Sequence, residues 1–313
     1  MDLDRMLEKC LAGQWRISEL DWDRTPPPMS RKKEEEVVQY FTDMAGIERI
    51  AAALFEEQAA RAKDPRLKAI FKTFVDDELR HARAAELLAE HYNVNKYRVY
   101  RQSESLHHFA YHFINALRHL SAEVATVYVT VGELLLDVAL LRSIDGFVDD
   151  PMLSEVMTRI NRDESRHIAM DFYMTEYYAS DAYQEELARQ PKKSLRDELA
   201  AWYAFGQTMR HARPFLKAIF LDPMSEIDPE GEHILEAFSR YQNLIERPNV
   251  SKRPLPATIL RTQRLASYRP TKKIADRFAH MIGLPAQMLD PSLLEKRAIR
   301  QRTQPGRVEA KLA

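Results

Sequence analysis

The chain has 313 residues, of which 45% are hydrophobic and 30% charged, and its formal net charge is −1. We expect a soluble globular protein, and the balanced charge does not favour nucleic acid or an anionic membrane as a partner. The single cysteine, Cys10, excludes an intramolecular disulfide and a cysteine-rich metal site. No apolar run reaches the roughly 18 residues of a membrane span. Because the N-terminus lacks a basic start followed by an apolar core, we expect a cytoplasmic protein.

The pattern of apolar residues predicts an all-α fold. Apolar positions recur at helical spacing, and strand-like alternation is nearly absent. We expect an irregular N-terminal segment over residues 1–29, four long helices within residues 30–180, and a C-terminal helical extension over residues 181–313. Prolines such as Pro214 should break this extension into shorter helices.

Capping residues and proline give the bounds of the four long helices. Ser30, Asp64-Pro65 and Asp150-Pro151 are typical helix starts. The predicted helices cover residues 30–62, 65–92, 121–144 and 151–179, with a break at Asp145-Gly146 and a further helical segment near 106–120. Two antiparallel hairpins joined by one long connection are the plan of a ferritin-like four-helix bundle.

The two hairpins carry the same motif, 86 residues apart. The first contains Asp77-Glu78-Leu79-Arg80-His81, and the second contains Asp163-Glu164-Ser165-Arg166-His167. In both, the glutamate lies 13 residues after the proline that begins the helix. Glutamate and histidine three residues apart project from one helix face, so each motif offers two metal ligands.

Each motif has a glutamate partner on the preceding helix. Glu48 lies 17 residues before Pro65, and Glu133 lies 18 residues before Pro151. Positions at similar distances from the turn of an antiparallel hairpin lie at similar height. All four glutamates also interrupt apolar stripes, so they should be buried, which demands compensating charge. Two divalent cations would supply it, with these metal ligands: Glu48, Glu78, His81, Glu133, Glu164 and His167.

A lone Glu-x-x-His is weak evidence, because about one is expected by chance at ordinary residue frequencies. A third copy, Glu104 with His107, lies in the crossover without a mirror partner and is not assigned to the site. The alternative is a pair of core histidines bonded to neighbouring acids, which does not explain why Glu48 and Glu133 interrupt apolar stripes.

The paired motifs resemble those of the ferritin-like diiron carboxylate proteins, which include multicomponent monooxygenases, p-aminobenzoate N-oxygenases and acyl desaturases. The resemblance covers about residues 30–180. It implies two irons that activate dioxygen, with substrate entering the apolar space beside the metals. Glutamate and histidine ligands also suit a mixed manganese–iron pair.

Other residues near the motifs are candidates for supporting roles. Asp77 and Asp163 could orient the ligand histidines, with Arg80 or Arg166 as their partners. Asp137 shares a helix face with Glu133 and is a candidate catalytic residue, either as an extra ligand or as a proton donor; a salt bridge with a nearby arginine is the alternative.

Further histidine and aromatic residues are secondary candidates for a functional role. His107, His108, His112 and His119 form a patch that could hold a second metal, although capping and core roles are commoner. Tyr128 and Tyr173 could relay electrons or line a pocket, and Trp15 should pack a terminal segment.

We therefore expect a dioxygen-activating oxidoreductase that hydroxylates, N-oxygenates or desaturates a small organic or acyl substrate. A reductase should supply electrons, and we expect a homodimer that binds neither nucleic acid nor membrane. The alternative is an iron-handling ferroxidase or peroxide scavenger without an organic substrate.

Overall fold

The computed structural model describes residues 1–119, 121, 126, 130–189, 194–268, 270–274 and 277. Throughout these residues every regular element is helical, which confirms the all-α prediction. None of the helices described there is both long and apolar enough to cross a membrane.

The first hairpin consists of α2 (Arg31–Arg61) and α3 (Pro65–Tyr92). Ser30 caps α2 by accepting from the backbone N–H of Lys33, and Asp64 caps α3 in the same way, as the sequence predicts. The three-residue connection forces the chain to reverse, and the two helices pack along their lengths. Their shared interior is filled by large buried side chains, including Phe41, Phe55, Phe71 and Phe74.

The second hairpin consists of α5 and α6. α5 comprises residues 130–133, the π-helix Leu134–Leu141 and the α-helix Arg142–Val148, which follow one another without a break. The predicted break at Asp145-Gly146 is wrong, because the helix continues through both residues to Val148. It is followed by Asp149, whose φ of 56° is left-handed. α6 (Pro151–Ala179) begins at the predicted residue.

The side chain of Asp150 does not cap α6. It accepts a 2.6 Å hydrogen bond from the hydroxyl of Tyr92 instead, although both residues are buried. This contact joins the end of α3 to the start of α6, so it ties the two hairpins together at one end of the helical assembly.

The N-terminal segment is more ordered than the sequence predicts. α1 (Leu3–Ala12) is capped by Asp2 and packs against α3 and α6, and a 3₁₀ turn follows at Ile17–Glu19. The expectation that residues 1–29 are irregular is therefore wrong for α1. Its short length and charged surface hide the two residues, Leu3 and Cys10, that it buries.

The remaining helices flank the two hairpins. α4 (Glu104–Leu117) packs against α8 (Leu195–Leu216), and α5 packs against α10 (Glu232–Ile245). The extension contains α7 (Asp181–Ala188), α8 (Leu195–Leu216), a π-helix (Lys217–Leu221), α9 (Asp222–Ile227), α10 (Glu232–Ile245) and α11 (Pro254–Ser267). Pro214 lies inside α8 and does not break it, contrary to the prediction. Residues 278–313 of the predicted extension lie outside the described residues.

We predict that Tyr92→Phe lowers the free energy of unfolding by about 1–3 kcal/mol, because Asp150 is left buried without its partner. Chemical denaturation measures the change. The matched control is Tyr111→Phe, since the side chain of Tyr111 is 68% exposed. Equal stability of the two variants would show that the bond between Tyr92 and Asp150 contributes nothing.

Candidate metal centre

The structure brings the six sequence-predicted ligands together at the centre of the two hairpins. α2 supplies Glu48, α3 supplies Glu78 and His81, α5 supplies Glu133, and α6 supplies Glu164 and His167. All are 0% exposed except Glu133, which is 4% exposed. Four helices therefore direct a charged cluster into an otherwise apolar interior.

The six residues form two overlapping groups that could hold a metal ion. The first group is Glu48, Glu78, His81 and Glu164, and the second is Glu78, Glu133, Glu164 and His167. Within each group one ligand atom per residue lies within 4.8 Å of the others. Glu78 and Glu164 belong to both groups, so each has the position of a carboxylate that bridges two sites.

A hydrogen-bonded aspartate fixes the orientation of each histidine, and the aspartate comes from the other hairpin. Nε2 of His81 lies 3.1 Å from Oδ2 of Asp163, and Nε2 of His167 lies 3.3 Å from Oδ2 of Asp77. An ionised carboxylate only accepts, so each Nε2 donates. Nδ1 of each ring is left facing the glutamates: Nδ1 of His81 is 3.0 Å from Glu164, and Nδ1 of His167 is 2.9 Å from Glu78.

The two aspartates are in turn paired with arginines, as the sequence suggests. Arg80 pairs with Asp77, and Nη2 of Arg166 lies 2.6 Å from Asp163. The pKa of Asp163 is lowered: burial raises it, but the hydrogen bonds from His81 and Trp15 and the charge of Arg166 outweigh burial. Asp163 therefore stays ionised and can hold the Nε2 proton of His81.

The segment after α1 completes this outer layer. Gln14 donates to Oδ1 of Asp77 at 2.9 Å, and the indole of Trp15 donates to Oδ2 of Asp163 at 2.7 Å. Trp15 is 4% exposed, and the guanidinium groups of Arg80 and Arg159 lie 5.2 Å and 5.6 Å from the centre of its ring. The expected packing role of Trp15 is thus accompanied by a hydrogen bond that reaches the histidine shell.

Protons balance part of the charge of the cluster in the metal-free protein. Burial raises the pKa of Glu48 and Glu133 well above the usual value, and the charges of Glu78 and Glu164 raise it further. Burial lowers the pKa of His81, but the contacts with Asp163 and Glu164 outweigh burial and raise this pKa to about 9. The pKa of His167 is raised in the same manner, because burial is outweighed chiefly by Glu164 and Asp77.

Several ligand atoms of the cluster have no hydrogen-bond partner among the described residues. They are both carboxylate oxygens of Glu48, Oε2 of Glu78 and Oε2 of Glu133. Nδ1 of His81 with Oε1 of Glu164, and Nδ1 of His167 with Oε1 of Glu78, make the ion-pair contacts given above instead. Buried polar atoms normally have partners, and an ion is one explanation of a buried group that lacks one. Oxygen and imidazole donors at these positions fit divalent first-row metals.

Asp137 lies one turn after Glu133 in the π-helix and is 2% exposed. It belongs to neither ligand group. Its Oδ2 is 3.7 Å from Nη2 of Arg142, so the ion pair that the sequence leaves as an alternative is present. Burial and the charge of Glu164 raise its pKa to about 7, against the opposing charge of Arg142, and its Oδ1 has no hydrogen-bond partner in the described part of the chain.

Asp171 is a buried acid that the sequence reasoning missed. It lies four residues after His167 and seven after Glu164, so it shares their face of α6. It is 0% exposed and neither carboxylate oxygen has a partner in the described part of the chain. Burial raises its pKa well above the usual value, as do Glu164 and Glu78, while His167 lowers it. Its spacing from the motif was the signal that could have found it.

None of the secondary histidine candidates that the structure describes belongs to either ligand group. Glu104 and His107 are exposed on α4, in agreement with their exclusion from the site. The rings of His108 and His112 lie 5.6 Å and 4.4 Å from the ring of His211 on α8. Tyr173 is half-buried, and Tyr128 lies outside the described residues.

Comparison with known protein families and with curated proteins finds no match for this chain.

We predict that single substitutions will divide the ligand set into shared and unshared members. Glu78→Ala should reduce binding of both metal ions, because Glu78 belongs to both groups. Glu48→Ala should reduce binding at the first group only and leave about one ion per chain. Elemental analysis after equilibrium dialysis measures the number of ions bound.

Glu90→Ala is the control, since the side chain of Glu90 on α3 is 69% exposed. It should bind as much metal as the unsubstituted protein. Two ions per chain in Glu78→Ala would contradict the assignment of the cluster.

We also predict that metal binding releases protons and tightens as the pH rises. Metal ligation needs ionised glutamates and neutral imidazoles, whereas the raised pKa values of Glu48, Glu133, His81 and His167 favour their protonated forms. Because these four pKa values are raised on folding, the four groups stabilise the metal-free fold at low pH. This stabilisation is lost as the pH rises, and the part due to His81 is lost as the pH passes about 9.

The increase in melting temperature caused by a saturating metal should therefore be larger at pH 8.5 than at pH 6. Differential scanning calorimetry measures it, and calorimetric titration in two buffers counts the protons released. A metal-induced increase that shrinks with rising pH would contradict this account.

Proposed function

We propose that the cluster is a di-metal centre of the ferritin-like diiron carboxylate type, and that the protein is a dioxygen-activating oxidoreductase acting on a small organic or acyl substrate. The observation that carries the proposal is the pair of overlapping ligand groups that share Glu78 and Glu164. One isolated metal site would need neither a second group nor shared carboxylates.

Charge supports two ions at this centre. Four ionised glutamates carry four negative charges, which two divalent cations balance, while His81 and His167 bind as neutral imidazoles. Burying four carboxylates without such compensation is costly, at several kcal/mol for each charge. Two ions would replace the protons that balance the metal-free cluster.

The donor set is compatible with a pair of irons or with a mixed manganese–iron pair. Bound in the ferrous state, such a pair would supply the electrons with which dioxygen is reduced. A separate reductase would return the electrons after each turnover. We expect the working form to be a homodimer.

The protein's own residues hold the ligands and supply protons. Asp77 and Asp163 keep the Nε2 protons of the histidines away from the centre, which leaves each Nδ1 free to bind a metal. Asp137, with its pKa raised to about 7 and an unpartnered Oδ1, can hold a proton one turn from Glu133 and release it near neutral pH.

An organic substrate is favoured over simple iron handling by the space beside the cluster. A cavity of about 390 Å³ is lined by Ile47, next to Glu48, and by Leu136, three residues after Glu133. Its size lies within the range of ordinary small-molecule sites, roughly 300–1,000 Å³. An iron-handling protein has no need of an apolar cavity at its metal ligands.

The test is to load the protein with ferrous iron without oxygen, then admit oxygen and measure both oxygen uptake and the fate of the iron. We expect two irons per chain, oxygen uptake in proportion to them, and iron that stays bound afterwards. Glu78→Ala should abolish the uptake, and Glu90→Ala should leave it unchanged.

Different outcomes separate the candidates. Release of ferric mineral, with renewed uptake at each addition of ferrous iron, would favour the iron-handling function. Bound iron that never reacts with oxygen would contradict the oxidoreductase. Parallel loading with manganese and iron together identifies the preferred pair.

A further inference from the structure

The cavity beside the cluster lies between three parts of the chain. α2 and α5 form two of its walls, and the third comes from the extension, through Ile219 of the π-helix and Pro223 and Ile227 of α9. The extension therefore closes a space that the two hairpins alone would leave open.

Residues close to two cluster glutamates along the chain line the cavity. On α2, Met44 and Ile47 line it, four residues and one residue before Glu48. On α5, Leu136 lines it, three residues after Glu133. The cavity therefore begins about one helical turn from two candidate ligands, and neither glutamate is itself part of its lining.

The inner lining is almost entirely hydrocarbon. Besides Met44, Ile47 and Leu136 it comprises Leu140, Ile144, Phe147 and Ile219. Asp43 also lines the cavity, but its oxygens already accept hydrogen bonds from Gln39 and from the N–H and hydroxyl of Ser103. No charge that lacks a partner among the described residues lies there to neutralise a charged ligand group, and an unpaired buried charge is costly.

One polar group in the lining has no partner. The hydroxyl of Tyr40 is buried and makes no hydrogen bond to any described residue. Tyr40 precedes Glu48 by eight residues on α2. A buried hydroxyl of this kind is a ready partner for one hydrogen-bonding group of a ligand.

Besides Asp43, the charged lining residues are Lys32, Glu35, Glu36, Arg98, Asp222 and Glu226. The side chains of Lys32, Asp222 and Glu226 are 70%, 56% and 55% exposed. Each of the six has a partner among the described residues: Lys32 with Glu36 and Glu226, Glu35 with Arg31, Asp222 with Lys217, and Arg98 with Gln39 and the ring of Tyr100. Acidic groups outnumber basic ones here, so this part of the lining does not favour an anionic ligand.

We propose that this cavity binds an uncharged, mostly hydrocarbon molecule with a single hydrogen-bonding group, which meets the hydroxyl of Tyr40 while the hydrocarbon part packs against Met44, Ile47 and Leu136. A volume of about 390 Å³ accommodates about a dozen methylene-sized groups, taking about 30 Å³ for each, the share of a water molecule in the liquid. That this molecule is the substrate rests on the function proposed above; that the cavity binds it does not.

Binding is tested with 1-alkanols of six to sixteen carbons and the zinc-loaded protein, by calorimetric titration. Affinity should rise about fourfold with each added methylene, as hydrocarbon burial dictates, and should level off near twelve carbons. The carboxylate and the ammonium compound of the best chain length should bind at least about tenfold more weakly.

Two variants locate the site. Ile227→Trp should fill the cavity from the extension and abolish binding, and Tyr40→Phe should weaken alkanol binding by roughly 2- to 12-fold through the lost hydrogen bond. Ile114→Trp, on the exposed face of α4, is the matched control and should bind normally. All three should retain two metal ions, since none of these residues is a ligand.

Each other result overturns the inference. No alkanol binding, or binding unchanged in both Ile227→Trp and Tyr40→Phe, would show that the cavity is not the site. Tighter binding of the charged compounds would overturn the ligand class. A further measurement uses iron in place of zinc. If a bound alkanol neither changes the oxygen uptake nor is converted to product, the substrate role is refuted. If the iron-loaded protein never takes up oxygen, the proposed function is refuted instead.

Discussion

Four carboxylates held at one level inside an apolar interior are the constraint on which the arrangement depends. Repulsion between them, added to their removal from water, would push the helices apart unless positive charge or protons lay between them. The two imidazoles supply part of that compensation, and the aspartates behind them stabilise the protonated rings. The metal-free protein can therefore keep its ligands in place, because protons occupy the positions that cations would take.

Compensation extends outward in layers from the glutamates. Asp77 and Asp163 are themselves fully buried, and they are balanced by Arg80 and Arg166 at the edge of the interior. Gln14 and Trp15 add further hydrogen bonds to oxygens of the two aspartates, Gln14 to Oδ1 of Asp77 and Trp15 to the Oδ2 of Asp163 that also meets His81. A segment that looks unimportant in the sequence thus closes the polar network, and loss of its hydrogen bonds would be felt by the histidines.

Much of this site could be predicted from spacing alone. The repeated motif, the capped helix starts and the matched distances to Glu48 and Glu133 are consequences of helical periodicity, so they are visible in one dimension. The crossed pairing of each aspartate with the other hairpin's histidine cannot be predicted from spacing, because it depends on how the two hairpins face each other.

Other features escaped prediction for local reasons. α1 is short and is held by its contacts with α3 and α6, so its own residues signal it weakly. The π-helix has no composition that distinguishes it from an ordinary apolar α-helix. Asp145-Gly146 resembles a helix end, but buried Ser143, Ile144 and Val148 keep the chain helical to Val148. Asp171 belongs to no recognised motif; its spacing from Glu164 and His167 places it on their face of α6, and its carboxylate oxygens have no partner among the described residues.

The crossed pairs have a consequence for symmetry. Exchanging the two hairpins exchanges Asp77 with Asp163, His81 with His167 and Glu78 with Glu164, and it preserves the crossed contacts of each histidine with the aspartate and the glutamate of the other hairpin. This is the self-complementary relation that two identical subunits make across a two-fold axis. One hairpin would satisfy its ligands and their supports by pairing with a copy of itself, whereas alone it would leave its histidine without an aspartate. The single chain therefore contains, within one molecule, the interface of a symmetric dimer.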